Sequence, residues 1–138
     1  SKGTDIAAAL EFFARVARRR STVFLISDFL AKDYEKVLAQ VRAKHDLIAV
    51  RTVDPRETTF PKVGLITLED AETGEIVVVD TQNKKVRELF SFRSREEESK
   101  RQSLFRSLKV DELVITTGKP YIRELSNFFR LREKRMYR

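Results

Sequence analysis

Residues 22–28, TVFLISD, decide the fold of this chain. A short continuous run of apolar residues, ended by Ser27 and Asp28, is typical of a strand that is buried in a parallel sheet. A second run, Leu47 to Val53, reads LIAVRTV and is closed by the turn signal Asp54-Pro55. A third and shorter run extends from Leu113 to Thr116. These runs predict three strands, of which the first two lie close together in the chain.

Helical patterns separate the predicted strands. Apolar residues recur at helical spacing from Ile6 to Ala17, after the capping residue types Thr4 and Asp5, and again from Tyr34 to Val41. A closing helix is expected from Tyr121 onward. Strands that alternate with helices indicate parallel βαβ units, so we predict a single α/β domain over residues 1–138.

Two further segments complete the predicted architecture. Val63 to Leu68 and Glu75 to Val79 read as the strands of a β-hairpin, with Gly74 in the turn to adopt a positive φ. Lys84 to Lys109 reads as a helix whose middle part, Arg93 to Gln102, is nearly all polar. That polar part either projects into solvent or interrupts the helix.

Composition and charge limit the classes of protein that this chain can belong to. The chain has 138 residues, a formal net charge of +7 and no cysteine, which excludes disulfides and thiolate metal sites. No apolar run reaches the roughly 20 residues of a membrane-spanning helix. We expect a cytoplasmic location, with membrane tethering of a longer parent chain left open. Residues 119–138 carry seven Lys or Arg against two Glu, so this tail is either a solvated basic helix face or a surface for an acidic partner.

The predicted ligand-binding edge follows from the topology. In open parallel sheets, ligands bind beyond the carboxyl ends of the strands. That rule directs attention to Asp28, to Asp54 and to Thr116-Thr117. Asp28 stands directly after the first strand, where it either belongs to a site or caps the following helix.

Several segments together resemble the bacterial von Willebrand factor A-type domains, and more closely the "domain of unknown function fifty-eight" family. Two of them, residues 3–10 (GTDIAAAL) and 23–29 (VFLISDF), are similar to two of the three metal-site segments of A domains. Phe29 stands where most A domains have glycine. The remaining features are residues 45–50 (HDLIAV), 54–57 (DPRE), 72–75 (ETGE), 79–81 (VDT) and the basic close after residues 128–130 (FFR).

The resemblance implies a metal-ion-dependent adhesion site. In that family Mg²⁺ or Mn²⁺ is held by a D-x-S-x-S segment, a threonine and an aspartate, and the last two fall on Thr4 and Asp28. The chain contains no two serines two residues apart, so the D-x-S-x-S segment is absent from it. We therefore expect an amino-terminal half upstream of this chain, a metal ion in the intact parent domain and none bound by this chain alone.

The resemblance also implies a role and a partner. Members of the family are expected to be non-enzymatic protein-binding modules that act as adaptors of MoxR-type AAA+ ATPases. Because the first strand of an A domain would flank Thr22 to Ser27, the chain by itself is expected to expose this edge and to self-associate. Alternatively, the Val63 to Val79 hairpin folds back over the edge.

Two other function classes remain open at this stage. A phospho-receiver domain would use Asp28 as phosphoacceptor and Lys119 as its lysine, but it needs an acidic pair on its first strand, which the sequence lacks. A nucleic-acid-binding domain would use the basic tail with Phe128 and Phe129, although their spacing favours burial and no specific binding is expected. For an enzyme we find no nucleophile–base pair, and the sole histidine, His45, is expected to be structural.

Overall fold

The computed structural model describes residues 5–55, 64–69 and 73–136. Helices and strands alternate along most of this length, as the apolar patterns predict. The elements in chain order are α1 (Ile6–Val16), β1 (Thr22–Ser27), α2 (Glu35–Lys44), β2 (Asp46–Val53), β3 (Leu65–Glu69), β4 (Ile76–Asp80), α3 (Lys84–Leu108), β5 (Asp111–Thr116) and α4 (Ile122–Met136).

The main sheet has three parallel strands in the order β1-β2-β5. Thr22 lies opposite Asp46, and Ile48 lies opposite Asp111, so all three strands run in register. The α/β class and the parallel arrangement are thereby confirmed. Among the described residues β1 pairs with β2 alone, which makes β1 an edge strand of this sheet.

Helices cover both faces of the sheet, but to different extents. On one face, α1, α2 and α3 pack against Leu47 and Ala49 of β2 in the larger core, with Val23 and Leu25 of β1 at its border. On the other face, α4 covers a smaller core that contains Ile48. Its other members are Val50, Leu113, Ile115, Leu125 and Phe128.

The prediction that β1 is buried is therefore only half right. Phe24 and Ile26 point to the face under α4 and keep 47% and 66% of their surface exposed. α4 packs over β2 and β5, so it leaves the outer strand largely uncovered. A continuous apolar run shows that both faces of a strand are apolar. Whether each face is buried depends on another helix or strand packing over it.

α3 is one continuous helix despite its polar middle. Asn83 caps its start by accepting hydrogen bonds from the amides of Lys85 and Val86, and Lys109 ends it at φ +57°. Residues 91–97 are all exposed, so the polar part projects into solvent rather than breaking the helix. In α3, which is described throughout, Phe105 is the one buried side chain.

The hairpin forms its own two-stranded antiparallel sheet, β3-β4, and does not extend the main sheet. The alternative in which it covers the β1 edge is thus wrong for the described residues. Gly74 has the positive φ expected of its turn, +72°. The Thr81 hydroxyl closes the other end, since it donates to the Gly64 carbonyl (2.6 Å) and accepts from the Gly64 amide (2.9 Å). Val63 and residues 70–72 of the predicted hairpin lie outside the described residues.

Candidate functional site

The carboxyl ends of the three parallel strands lie at one edge of the sheet, as predicted. Asp28 follows β1, Asp54 follows β2 and Thr116 ends β5. The Thr117 amide and hydroxyl both donate to the Val53 carbonyl, at 2.8 and 3.3 Å. These bonds tie the end of β5 to the end of β2 and give the edge a fixed backbone.

Asp28 is exposed in a loop whose conformation is set by short-range hydrogen bonds. Its Oδ1 accepts from the Leu30 amide (3.1 Å), and the Ser27 hydroxyl oxygen accepts from the Phe29 amide (3.0 Å). α2 begins only at Glu35, so the interpretation of Asp28 as the cap of the following helix is wrong. Six residues lie between the two positions, which is too far for the contact between a cap and the first turn.

Phe29 holds this loop against the core. Its φ is +58°, in the left-handed region where glycine is favoured. The ring is buried and packs edge-on against Phe105, with centroids 5.3 Å apart. It also contacts the tilted ring of Tyr34, whose centroid is 6.0 Å away. Burial of the aromatic ring offsets the cost of the unfavourable backbone angle and so positions Asp28.

Of the two residues of the predicted metal site, the described part of the structure contains only Asp28. Thr4 lies outside it, while Asp28 contributes one carboxylate with one oxygen already engaged. Across residues 5–55, 64–69 and 73–136, no three His, Asp or Glu side chains converge on a point that could hold a metal ion. Asp28 alone does not satisfy a hard cation that requires about six oxygen ligands.

A large cleft opens beside Asp28, between the loop, the end of β2 and the exposed side of α3. Its volume is about 1020 Å³. Arg51 lines it from the sheet, and Ser94 and Arg101 line it from α3. Tyr34 lines it from the loop that precedes α2. The loop from Asp28 to Glu35 forms its rim, so the cleft and the candidate loop are parts of one surface.

A cluster of buried charges adjoins the cleft. Glu112 of β5 accepts from Arg51 Nε at 3.4 Å and from Arg101 Nε at 3.2 Å. All three side chains are largely buried: the exposed fraction is 16% for Arg51, 11% for Arg101 and 17% for Glu112. Glu98, whose side chain is 47% exposed, lies 3.7 Å from Arg51 Nη2.

The apolar and charge patterns of the sequence do not predict this cluster. A signal was present in β2, because Arg51 is a charged residue in a strand whose preceding four residues are all buried, and charged side chains are seldom buried without partners. Its partners could not be inferred, since Glu112 follows it by 61 residues in the chain.

Tyr34 lies against the same cluster. Burial raises the pKa of its hydroxyl, the Glu35 carboxylate raises this pKa further, and the Arg101 guanidinium acts in the opposite direction.

His45 has a structural role, as expected. Its side chain is buried, its Nδ1 accepts from the Ser21 amide at 3.1 Å, and its ring packs edge-on against Phe13 with centroids 4.9 Å apart. It precedes β2 and so lies at the end of the sheet opposite to Asp28.

Part of the positive charge of the tail is neutralised within the chain. Arg132 pairs with Asp46 and, at 3.3 Å, with Asp111, and Arg135 donates to Asp111 at 2.6 Å. These carboxylates stand at the starts of β2 and β5. The side chain of Arg132 is 17% exposed, so it is a packing residue rather than a free contact for phosphate.

The two phenylalanines of the tail have different surroundings. Phe128 packs in the smaller core, as its spacing predicts. Phe129 remains 42% exposed, with its ring 6.2 Å from that of Phe24, so the expected burial is wrong for this residue. Both phenylalanines contact the sheet face that α4 incompletely covers. None of the described helices is long and apolar enough to cross a membrane.

A family profile and several uncharacterized proteins are similar to this chain. The profile described as "Protein of unknown function DUF58" matches residues 1–100. An uncharacterized protein of Mycobacterium avium is 28% identical over 131 residues, which is 94% of this chain and 77% of that protein. Uncharacterized proteins of Mycobacterium bovis and Mycobacterium tuberculosis are 37% identical over 73 residues, which is 52% of this chain and 23% of each of those proteins. No solved structure matches the chain significantly.

Proposed function

The chain belongs to the family of proteins of unknown function DUF58, and from that membership we propose that it is a protein-binding module of the von Willebrand A type rather than an enzyme. The observation that carries the proposal is the position of Asp28. Its carboxylate is exposed directly after a strand, at the edge where parallel sheets bind ligands, in a loop anchored by the buried ring of Phe29.

A metal-dependent mode of binding is the finer form of the proposal. Asp28 and, by resemblance, Thr4 would contribute oxygen ligands to Mg²⁺ or Mn²⁺. A bound ion with an open coordination position supplies a place for a carboxylate of the partner. The role of Asp28 would be to present its carboxylate to the ion, since the Leu30 amide already orients this side chain through Oδ1.

A binding role is also supported by the positions of the histidine and of two carboxylates that could otherwise act in catalysis. The sole histidine, His45, does not reach the edge where Asp28 lies. It is buried at the opposite end of the sheet, where its Nδ1 accepts a hydrogen bond from the Ser21 amide. The carboxylates Asp46 and Asp111 are engaged with arginines of α4. These side chains stabilise the fold, which leaves Asp28 as the exposed acid that follows a strand of the main sheet directly.

The partner that the resemblance favours is a MoxR-type AAA+ ATPase, for which the module would act as an adaptor. Biolayer interferometry with such an ATPase, with Mg²⁺ and then with EDTA, tests this form of the proposal. Because the chain alone is expected to hold the ion weakly, a carboxylate of the partner would complete its coordination, so we expect binding that requires millimolar Mg²⁺ and is lost in Asp28→Asn. Asp33→Asn is the matched control, because Asp33 lies on the same rim of the cleft but is not a proposed ligand. Equal binding by all three proteins would refute the proposed role of Asp28.

The metal affinity of this chain can be measured separately. Without a D-x-S-x-S segment, one carboxylate and one hydroxyl replace too little of the hydration shell of Mg²⁺, so we expect a dissociation constant above about 1 mM. Isothermal titration calorimetry with MgCl₂ measures it. Micromolar affinity that disappears in Asp28→Asn would show that the site is complete in this chain.

A further inference from the structure

The buried charges around Glu112 do not balance. Two guanidinium groups, Arg51 and Arg101, share this one carboxylate, and all three side chains are more than four-fifths buried. Glu98 is the next nearest acid, but it contacts only Arg51, at 3.7 Å, and about half of its side chain is in solvent. Screening by water makes such an exposed partner a weak compensation for a buried charge.

Arg101 is the less satisfied of the two arginines. Its Nε donates to Glu112, while its Nη2 is buried and has no hydrogen-bond partner among the described residues. Buried donors in folded proteins are nearly always paired, because leaving one unpaired costs its full desolvation. The orphan nitrogen therefore marks a position where an acceptor is missing.

The side chain that carries this nitrogen lines the cleft. Arg51, Arg101 and Tyr34 all line its volume of about 1020 Å³, together with Ser94 of α3. Guanidinium groups bind oxyanions through planar, often bidentate pairs of hydrogen bonds, which the compact ammonium group of lysine cannot form. The hydroxyls of Tyr34 and Ser94 are additional donors on the same walls.

We propose that this cleft binds an oxyanion, a carboxylate or a phosphate group, on the Arg51–Arg101 pair. The anion accepts from the unpaired Nη2 of Arg101 and takes the place of Glu98 beside Arg51. Glu98 is then an internal competitor that occupies the site weakly from the surface of α3. The inference does not depend on the metal-binding role of Asp28.

The Arg51–Arg101 pair, rather than the net charge around the cleft, would make the site selective for oxyanions. The rim of the cleft carries acids as well as bases, among them Asp33 and Glu97 against Lys32 and Lys100. Such a mixed rim does not concentrate anions by itself. Binding should consequently depend on Arg51 and Arg101 and be insensitive to the loss of a rim cation.

Titration of the purified chain with inorganic phosphate, and separately with succinate, tests the proposal. Calorimetry or thermal shift at constant ionic strength, balanced with chloride, separates binding from salt effects. We expect saturable binding with a dissociation constant on the order of 1 mM. Tighter binding of phosphate indicates a phosphate-bearing ligand, and tighter binding of succinate indicates an acidic side chain of a partner protein.

Four variants locate the site. Glu98→Gln removes the competitor and should tighten anion binding about three- to tenfold, a change that a purely structural role of the cluster does not predict. Arg101→Gln should abolish binding, with Arg101→Lys as a second variant if the first fails to fold. Arg95→Gln is the matched control, because Arg95 is an exposed arginine of the same helix that also lines the cleft.

The same titrations can overturn the proposal. Absence of saturable binding in both the unaltered chain and Glu98→Gln would refute it, since Glu98 is half exposed and its replacement is not expected to unfold the chain. Binding that survives intact in Arg101→Gln and Arg101→Lys would place the anion elsewhere and refute it equally. Loss of binding in Arg95→Gln would assign the effect to rim charge instead.

Discussion

Replacing Phe105 by alanine tests how α3 is held over the sheet. Phe105 is 3% exposed and is the one buried side chain of this helix, where it packs edge-on against Phe29. Truncation of a buried phenylalanine costs about 3–5 kcal/mol, because apolar contact is lost and a cavity remains. For a domain of this size each kcal/mol lowers the melting temperature by about 3–4 °C, so we expect a decrease of roughly 10–20 °C.

Urea unfolding followed by far-ultraviolet circular dichroism gives the free energy of unfolding directly. Phe92→Ala is the matched control, since Phe92 lies on the same helix and is 54% exposed, and it should change this free energy by less than about 0.5 kcal/mol. Phe105→Leu keeps most of the apolar volume and should cost about 1 kcal/mol, which provides a measurement if the alanine variant is unfolded. A loss below 1 kcal/mol for Phe105→Ala, or an equal loss for Phe92→Ala, would refute the packing of α3 described here.

Three further predictions concern the edge strand, the tail and the buried tyrosine. The exposed edge and apolar face of β1 should cause the chain to self-associate, which light scattering after gel filtration detects. Ile26→Lys should weaken this association, and a monomer at high concentration would contradict the prediction. Binding of a single-stranded oligonucleotide should be weak and vanish near 0.15 M salt, because Arg132 and Arg135 are already paired with carboxylates of the chain. Sequence-selective binding at that salt concentration would instead support the nucleic-acid-binding hypothesis. The pKa of Tyr34 is raised in the folded state from an ordinary value of 10.0, so its contribution to stability is complete below that value and is lost as pH rises above it. Tyr34→Phe should accordingly flatten the decrease in urea midpoint as the pH rises above about 10, and an unchanged slope would contradict the assignment.

The sequence by itself determined the elements and the edge at which to look for a site. The strand from Thr22 to Ser27 was predicted with the bounds that the structure has, and Asp5 caps α1 as its residue type indicates, by accepting from the Ala8 amide at 2.9 Å. Such features depend on backbone sterics and on hydrogen bonds between near neighbours, which a linear pattern records. The common edge of Asp28, Asp54 and Thr117 then followed from the rule for parallel strands.

Only the tertiary structure decided which faces are covered and which charges meet. Phe24 and Ile26 read as buried, yet they are exposed because α4 lies over the neighbouring strands. Glu112 meets Arg51 from 61 residues away, a pairing created by the register of β2 against β5 and by the approach of α3. Periodicity records the polarity of each face, but contacts between distant residues arise from the packing of whole elements, whose relative placement no local pattern contains.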